Sequence, residues 1–211
     1  MQFKNKKVVV LAPHTDDGEL GCGATIAKIL EEGAIVYYVA LSTAEESVPQ
    51  GFPKNRLEIE VREAAKKLGI PEENLIVFHH QVRKLNFIRQ EILESLIEIR
   101  NTVKPDMVFL PSSKDIHQDH ITVTQEGIRA FKYSTILGYE LIWNNLSFST
   151  DCFIRVTQEQ VNKKIEALKC YETQHGKNYM DPDFIRSLAK IRGTQIGSDY
   201  AEAFELIRWI I

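Results

Sequence analysis

Short apolar runs alternate with amphipathic segments through the first two thirds of the chain. Continuous apolar stretches of this length are typical of strands buried on both faces, and they predict strands at residues 7–12, 34–41, 75–78 and 107–110. The amphipathic segments predict helices at residues 24–33, 56–68, 87–101 and 121–131. This alternation predicts an α/β fold, with a Rossmann-like, mostly parallel sheet and helices on both faces.

The last third of the chain is less regular. Residues 158–171 and 184–191 are predicted helices, whereas the pattern of residues 201–211 does not distinguish a helix from a strand. No repeat, low-complexity tract or flexible linker divides the sequence. For 211 residues we therefore expect a single domain over residues 1–211.

Charge and apolar content restrict the class of partner. Lys and Arg number 26 against 29 Asp and Glu, and this net charge of −3 argues against a nucleic-acid partner held mainly by its phosphates. The apolar runs are much shorter than the roughly 18 residues of a membrane span, and the N-terminal segment lacks the features of a signal peptide. Three widely spaced cysteines suit the reducing cytoplasm, where we expect the protein. The sequence leaves a homo-oligomer open.

Polar side chains follow the predicted strands at the points where the strands end. Because ligands of such sheets bind beyond the carboxyl ends of the strands, these side chains predict one polar site there. The set holds five of the six histidines and four aspartates: His14, Asp16, Asp17, His79, His80, Asp115, His117, Asp119 and His120. Adjacent side chains on a strand point to opposite faces, so at most one of His79 and His80 would reach the site.

Two clusters within this set carry the chemistry. Adjacent carboxylates such as Asp16 and Asp17 are tolerated beside a cation or a shared proton, although a solvated turn with a helix N-cap explains them equally well. His117 and His120 are spaced by three, with an aspartate between them, at the start of a helix. Together the clusters offer two histidines and a carboxylate, a set that binds Zn²⁺ and leaves coordination positions for water and substrate.

Both clusters resemble motifs of the PIG-L/LmbE-type zinc-dependent N-deacetylases. The segment V-V-V-L-A-P-H-T-D-D is similar to the family's opening (A/P)-H-P-D-D motif, and H-Q-D-H at residues 117–120 is similar to its H-x-D-H motif. Softer similarities, such as K-I-E-A-L-K-C-Y-E-T-Q at 164–174, extend the resemblance over nearly the whole chain. Thr15 and Gly18 depart from the usual Pro and Glu.

The resemblance assigns roles by position. It implies that His14, Asp17 and His120 hold zinc. It implies that Asp16 is the general base that takes a proton from the metal-bound water. His117 would stabilise the oxyanion or protonate the leaving amine, and Asp119 would orient His117. The substrate implied is an N-acetylated amino sugar, such as an N-acetylglucosamine unit, or a conjugate of it.

Four further residues are candidates for substrate binding. Arg56 follows a polar loop and resembles a family arginine that reaches the substrate, although a surface charge at a helix start is the alternative. Trp143 and Asn144 lie in a polar-aromatic stretch, where an aromatic face can pack on a sugar and an amide can bind hydroxyls. Arg192 could pair with a phosphate. Each of these residues could equally be structural.

Two other functions remain open at this stage. A zinc amidase acting on a non-sugar amide keeps the same metal site. The other is a non-enzymatic nucleotide-binding module, in which the His and Asp residues would be structural. A possible dinucleotide-binding fingerprint at Gly18, Gly21 and Gly23 favours that interpretation. The dinucleotide fingerprint is incomplete, however, because its last glycine would fall on Ile26.

Overall fold

The computed structural model describes residues 3–210, which form one seven-stranded sheet flanked by helices. The strands are β1 (Lys7–His14), β2 (Ile35–Ser42), β3 (Leu75–Val77), β4 (Met107–Pro111), β5 (Thr135–Tyr139), β6 (Cys152–Val156) and β7 (Tyr200–Arg208). Their spatial order is β3-β2-β1-β4-β5-β7-β6. The first five strands are parallel, and β7 runs antiparallel to both of its neighbours.

Helices cover both faces of the sheet and create two cores. They are α1 (Asp17–Glu31), α2 (Arg56–Leu68), α3 (Arg89–Val103), α4 (Gln118–Ala130), α5 (Gln158–Leu168) and α6 (Pro182–Thr194). Helices α1, α2, α5 and α6 contribute to one core, and α3 and α4 to the other. Strand β1 alternates between them: Val8 and Val10 face the first core and Val9 faces the second. The predicted Rossmann-like fold is therefore confirmed.

The strand order places a topological switch point between β1 and β4. From β1 the sheet continues through β2 to β3 on one side, and through β4 to β5 on the other. The loops that leave β1 and β4 therefore diverge over opposite faces, and a crevice opens between them at the carboxyl edge. His14 ends β1, and the segment after β4 leads to His117 and α4, so both motifs meet at this crevice.

Several element boundaries differ from the predicted ones. Helix α4 begins at Gln118 rather than at residue 121, because the His117 side chain caps its N-terminus by accepting the Asp119 N–H at 3.2 Å. The undecided segment 201–211 contributes β7, which pairs with two strands at once, and Ile211 lies outside the described residues. Strands β5 and β6 were not predicted. Among residues 3–210, no helix has both the length and the apolar character that a bilayer crossing requires.

Candidate metal centre

Three donor atoms from β1, α1 and α4 converge at the floor of the crevice. His14 Nδ1 lies 3.1 Å from Asp17 Oδ2, and His120 Nε2 lies 3.2 Å from His14 Nδ1 and 3.3 Å from Asp17 Oδ2. Each position follows from local structure, because His14 ends β1, Asp17 opens α1, and His120 lies in the first turn of α4. The three atoms therefore form a nearly equilateral triangle.

This triangle has the size that a tetrahedral metal ion requires. Zinc bonds of about 2.0–2.1 Å place neighbouring ligand atoms about 3.3 Å apart, and imidazole nitrogen and carboxylate oxygen are common zinc ligands. The imidazole of His117 is close as well, since the rings of His14, His117 and His120 offer ligand nitrogens that all lie within 4.8 Å of one another. The donor set therefore fits a zinc ion.

Each of the two histidines in the triangle contacts a second carboxylate. Asp119 Oδ2 lies 3.0 Å from His14 Nε2, and Asp115 Oδ2 lies 2.8 Å from His120 Nδ1. Both aspartates are buried. A carboxylate on the outer nitrogen fixes the ring orientation and makes the inner nitrogen a better metal ligand. Asp115 belonged to the polar set predicted at this edge of the sheet, but it was assigned no role of its own.

The carboxylate of Asp119 contacts a different histidine from the predicted one. It binds His14, and it also accepts the backbone N–H groups of Arg83 at 2.6 Å and Leu85 at 3.2 Å. Only the backbone N–H of Asp119 reaches His117, where it donates to Nδ1. The prediction that Asp119 orients His117 through its side chain is therefore wrong, because the N-cap geometry turns that side chain away.

The N-cap bond also determines the protonation of His117. An imidazole nitrogen that accepts a hydrogen bond carries no proton, so Nδ1 is unprotonated and the neutral ring carries its proton on Nε2. Burial, followed by the nearby charges of His120 and His14, lowers the pKa of His117. His117 is therefore a neutral hydrogen-bond donor through Nε2.

The two adjacent aspartates differ strongly in acidity. Burial and then the charge of Asp17 raise the pKa of Asp16 to about 7. Burial also disfavours ionisation of Asp17, but the charges of His120 and His14 outweigh it and hold the pKa of Asp17 well below its ordinary value. Asp17 is thus the more acidic of the two, whereas the pKa of Asp16 lies near neutral pH.

The charge of Asp17 acts on the histidines in return. Burial opposes protonation of His14, yet the charge of Asp17 and hydrogen bonds to Asp119 and Asp17 raise the pKa of His14 to about 9. Burial likewise opposes protonation of His120, yet the charge of Asp17 and hydrogen bonds to Asp115 and Asp17 raise the pKa of His120 to about 10. The protein thus surrounds these two rings with negative charge, and such surroundings equally favour a bound cation.

A buried tyrosine pair supports the loop that carries the two aspartates. The hydroxyls of Tyr38 and Tyr171 each lie 2.8 Å from the Thr15 carbonyl oxygen, and both also contact the Glu19 carboxyl group. The Gly18 N–H donates to the Tyr38 hydroxyl, and a Cβ at Gly18 would lie only 2.5–2.7 Å from the Tyr38 ring. The glycine that departs from the family motif therefore leaves room for this tyrosine.

A cleft of about 330 Å³ opens above the metal centre. His14, Asp16, Asp17, His117 and His120 all line it. Its walls come from four connecting segments and include Ser47, Val82, Arg83, Trp143, Asn144, Gln174, Lys177 and Tyr179. The Trp143 ring stacks on Tyr179 with centroids 4.1 Å apart. The structure thus places Trp143 and Asn144 in the cleft.

The two predicted substrate-binding arginines lie elsewhere and are paired with acids. Arg56 Nε lies 3.1 Å from the buried Glu60 carboxylate, and Arg56 Nη2 lies 2.9 Å from Glu172. Arg192 binds the buried Glu140 through Nη2 at 2.5 Å and Nε at 3.1 Å. Neither arginine lines the cleft, because each neutralises a buried carboxylate. Both arginines are thus paired within the protein, and their contact with a substrate stays a prediction.

The neighbouring histidines after β3 also lie outside the lining of the cleft. His80 stacks on Phe78 with ring centroids 5.5 Å apart. His79 is more than half exposed and lies 3.8 Å from Glu45 and 3.9 Å from Glu58. The structure therefore places neither ring at the metal centre.

Comparison with known proteins finds a matching protein family. Residues 9–131 match the sequence model of a family described as PIG-L, GlcNAc-PI de-N-acetylase. This segment is more than half of the 211 residues and contains both the H-T-D-D and the H-Q-D-H motifs.

Individual relatives cover most of the chain. The uncharacterized deacetylase YaiS of Escherichia coli is 29% identical over 81% of this chain and 92% of its own length. The diacetylchitobiose deacetylase of Thermococcus kodakarensis is 22% identical over 96% of this chain and 83% of its own length. The crystal structure of GalB, a 4-carboxy-2-hydroxymuconate hydratase of Pseudomonas putida, superposes with a TM-score of 0.79 at 19% identity, covering 98% of both chains. That last similarity shows a shared fold alone.

Proposed function

Because the chain belongs to the PIG-L family of GlcNAc-PI de-N-acetylases, we propose that it is a zinc-dependent N-deacetylase of an N-acetylated amino sugar or sugar conjugate. The observation that carries this proposal is the triangle of His14 Nδ1, His120 Nε2 and Asp17 Oδ2, with sides of 3.1–3.3 Å. The relatives named as deacetylases, one of them acting on diacetylchitobiose, support the reaction and the sugar.

The metal and the two aspartates have different roles in activating water. Zinc held by His14, Asp17 and His120 would supply Lewis-acid activation of water and of the acetyl carbonyl. Asp16 acts as general base, because a carboxylate with a pKa of about 7 accepts a proton efficiently near neutral pH. Asp17 keeps its charge and serves as a ligand. Two carboxyl groups with pKa values driven apart by their surroundings are a recurrent basis for acid–base catalysis.

His117 serves as the electrostatic partner of the reacting carbonyl. Its Nδ1 is occupied by the Asp119 N–H, so Nε2–H remains to donate a hydrogen bond to the oxyanion of the tetrahedral intermediate. A single donor of this kind typically contributes about 10²–10³ to the rate. The rigid N-cap of α4 holds the ring in place before the reaction, so little reorganisation is needed.

The walls of the cleft supply contacts to the sugar. Trp143 and Tyr179 form an aromatic stack against which the apolar face of a pyranose ring can pack. Asn144 contributes an amide for hydroxyl groups. We also propose that the protein is cytoplasmic, since Cys22, Cys152 and Cys170 are all free thiols.

Metal analysis and product analysis on the purified protein test this function. We expect one zinc per chain. We also expect acetate and free amine in equal amounts from N-acetylglucosamine or N,N′-diacetylchitobiose, with loss of activity after chelation and recovery with zinc. A shared fold does not determine the reaction, so non-sugar acetamides such as N-acetyl amino acids belong in the panel. Acetate from these amides but not from sugars would favour the amidase alternative. A protein that binds no zinc would contradict the proposal.

A further inference from the structure

Helix α1 is interrupted about one turn after it begins. The backbone of Cys22 has φ −146° and ψ 26°, which are not helical values, so the helix consists of a first turn before this residue and a longer segment after it. The first turn carries Asp17, a candidate metal ligand. A single helical turn has little stability of its own, so contacts from other elements must hold its orientation.

A buried ion pair lies at this interruption. Lys164 of α5 donates from Nζ to the carbonyl oxygen of Leu20 at 2.7 Å and to Glu202 Oε1 at 2.7 Å. Glu202 of β7 in turn accepts the backbone N–H groups of Ala24 at 3.3 Å and Thr25 at 2.7 Å. Both charged side chains are buried. The pair therefore connects α5 and β7 to the two sides of the interruption.

The pair binds two backbone groups that bond to each other in a regular helix. In an uninterrupted α-helix the N–H of Ala24 bonds to the carbonyl oxygen of Leu20, four residues earlier. Here Lys164 binds that carbonyl, and Glu202 binds that N–H. A side chain inserted into the helical hydrogen bonds is a known cause of a sharp kink. A Cβ at Gly23 would lie only 2.9 Å from Lys164 Cγ, so the glycine leaves room for the lysine.

Stability alone does not explain a buried ion pair. Taking two charges out of water costs free energy, and apolar side chains of similar size often stabilise a protein at least as well. The turn that Lys164 holds reaches the metal centre, because Leu20 lines the cleft together with Asp17. Ligand distances in a metal site stay within about 0.2 Å of their ordinary values, so a small rotation of this turn would remove Asp17 from the triangle.

We propose that Lys164 and Glu202 are positioning residues of the metal centre. By holding the interruption of α1, they orient its first turn so that Asp17 binds the metal together with His14 and His120. This inference rests on the proposed function, because it concerns the same metal. Neither member of the pair lines the cleft, so both act through the helix rather than on a substrate.

Two variants and a control test the pair. Lys164→Met combined with Glu202→Gln removes both charges, so no unpaired charge stays buried, and Glu202→Gln alone keeps an oxygen that can accept an N–H. Arg56→Met is the control, because it also separates a buried glutamate from its cation, and its ion pairs are with Glu60 and Glu172. Competition with a chromogenic chelator gives the zinc affinity, and the visible spectrum of the cobalt(II)-loaded protein reports the coordination geometry.

We expect the double variant to bind zinc about 10–100-fold more weakly and to change the cobalt spectrum, as is typical when residues that support metal ligands are lost. Glu202→Gln should lose less affinity. Arg56→Met should lose stability in urea, yet keep the zinc affinity and the cobalt spectrum of the wild type. Amide hydrogen exchange of the metal-free proteins needs no metal, and residues 17–25 should exchange faster in the double variant than in the control.

Two results would overturn the positioning role. One is a double variant that loses stability but keeps its zinc affinity and cobalt spectrum, because the pair would then support the fold alone. The other is an equal loss of zinc affinity in Arg56→Met, because the effect would then follow stability. A wild type that binds no zinc would contradict the deacetylase function. Exchange of residues 17–25 would then decide whether the pair holds the first turn, and unchanged exchange in the double variant would contradict that as well.

Discussion

Asp119 Oδ2 lies 3.0 Å from His14 Nε2, so this buried carboxylate orients a candidate metal ligand rather than the neighbouring His117. A carboxylate behind a ligating imidazole fixes the ring and raises its basicity, and its loss typically lowers metal affinity about 10–100-fold. We therefore expect Asp119→Asn to weaken zinc binding by this factor. Competition with a chromogenic chelator measures the affinity. Asp183→Asn, at an exposed position, is the control, and equal zinc affinity in both variants would refute this role.

Substitutions at the triangle should separate metal binding from proton transfer. His14→Ala, Asp17→Ala and His120→Ala each remove a donor atom, so zinc content and activity should fall together. Asp16→Asn should retain zinc and lose about 10²–10⁴ in kcat/KM, because an amide cannot accept the proton. Zinc per chain and acetate release are measured on the same samples. If Asp16→Asn lost zinc as completely as Asp17→Ala, the assignment within the pair would be wrong.

Arg56 should contribute to stability more than to substrate binding. Removing its guanidinium leaves the buried Glu60 carboxylate with only its hydrogen bonds from Thr173. We expect Arg56→Ala to lower the free energy of unfolding by about 1–3 kcal/mol, as measured in urea. Arg62→Ala on the same helix removes more exposed pairs with Glu58 and Glu72 and should cost less than about 1 kcal/mol. An unchanged stability together with a raised KM would indicate that Arg56 contacts the substrate instead.

Glu19 should make stability depend on pH. Burial raises the pKa of Glu19 from 4.5 to about 8, so between these pH values the native state holds a proton that the unfolded state has lost. The stabilisation from this proton is complete below about pH 4.5 and disappears as pH rises toward 8, with a slope of at most about 1.4 kcal/mol per pH unit.

Glu19→Gln provides the comparison, because an amide does not titrate. Urea unfolding of chelator-treated wild type and variant from pH 5 to pH 8 should show the wild type losing stability relative to the variant as pH rises. Parallel curves would mean that Glu19 titrates alike in the native and unfolded states.

Trp143 should act on substrate affinity alone. Its ring is partly exposed and stacks on Tyr179 in the wall of the cleft, and it is not one of the donors of the metal centre. We expect Trp143→Ala to raise KM for an N-acetyl sugar about tenfold, through lost stacking and lost buried area, with unchanged zinc content. Trp209→Ala removes a similarly exposed tryptophan that does not line this cleft. The same rise in KM in both variants would argue against a sugar contact at Trp143.

The sequence by itself determined the fold class, the first four strands and the location of the chemistry. The apolar run of β1 predicted a strand covered on both faces, and its successive side chains do alternate between two cores. The carboxyl ends of parallel strands meet at one edge of a sheet, so the H-T-D-D and H-Q-D-H motifs were expected to meet there. These conclusions depend on local periodicity and on strand direction, and both can be predicted from the order of residues along the chain.

Only the tertiary structure decided which partner each polar side chain takes. Asp119 reaches His14 across more than one hundred residues, and Asp115 contacts His120. The sequence left Arg56 and Arg192 open as substrate-binding or structural residues, and the structure pairs each of them with a buried glutamate. Side-chain pairing depends on distances between elements and on the free-energy cost of an unpaired buried charge. Neither can be predicted from the local sequence pattern.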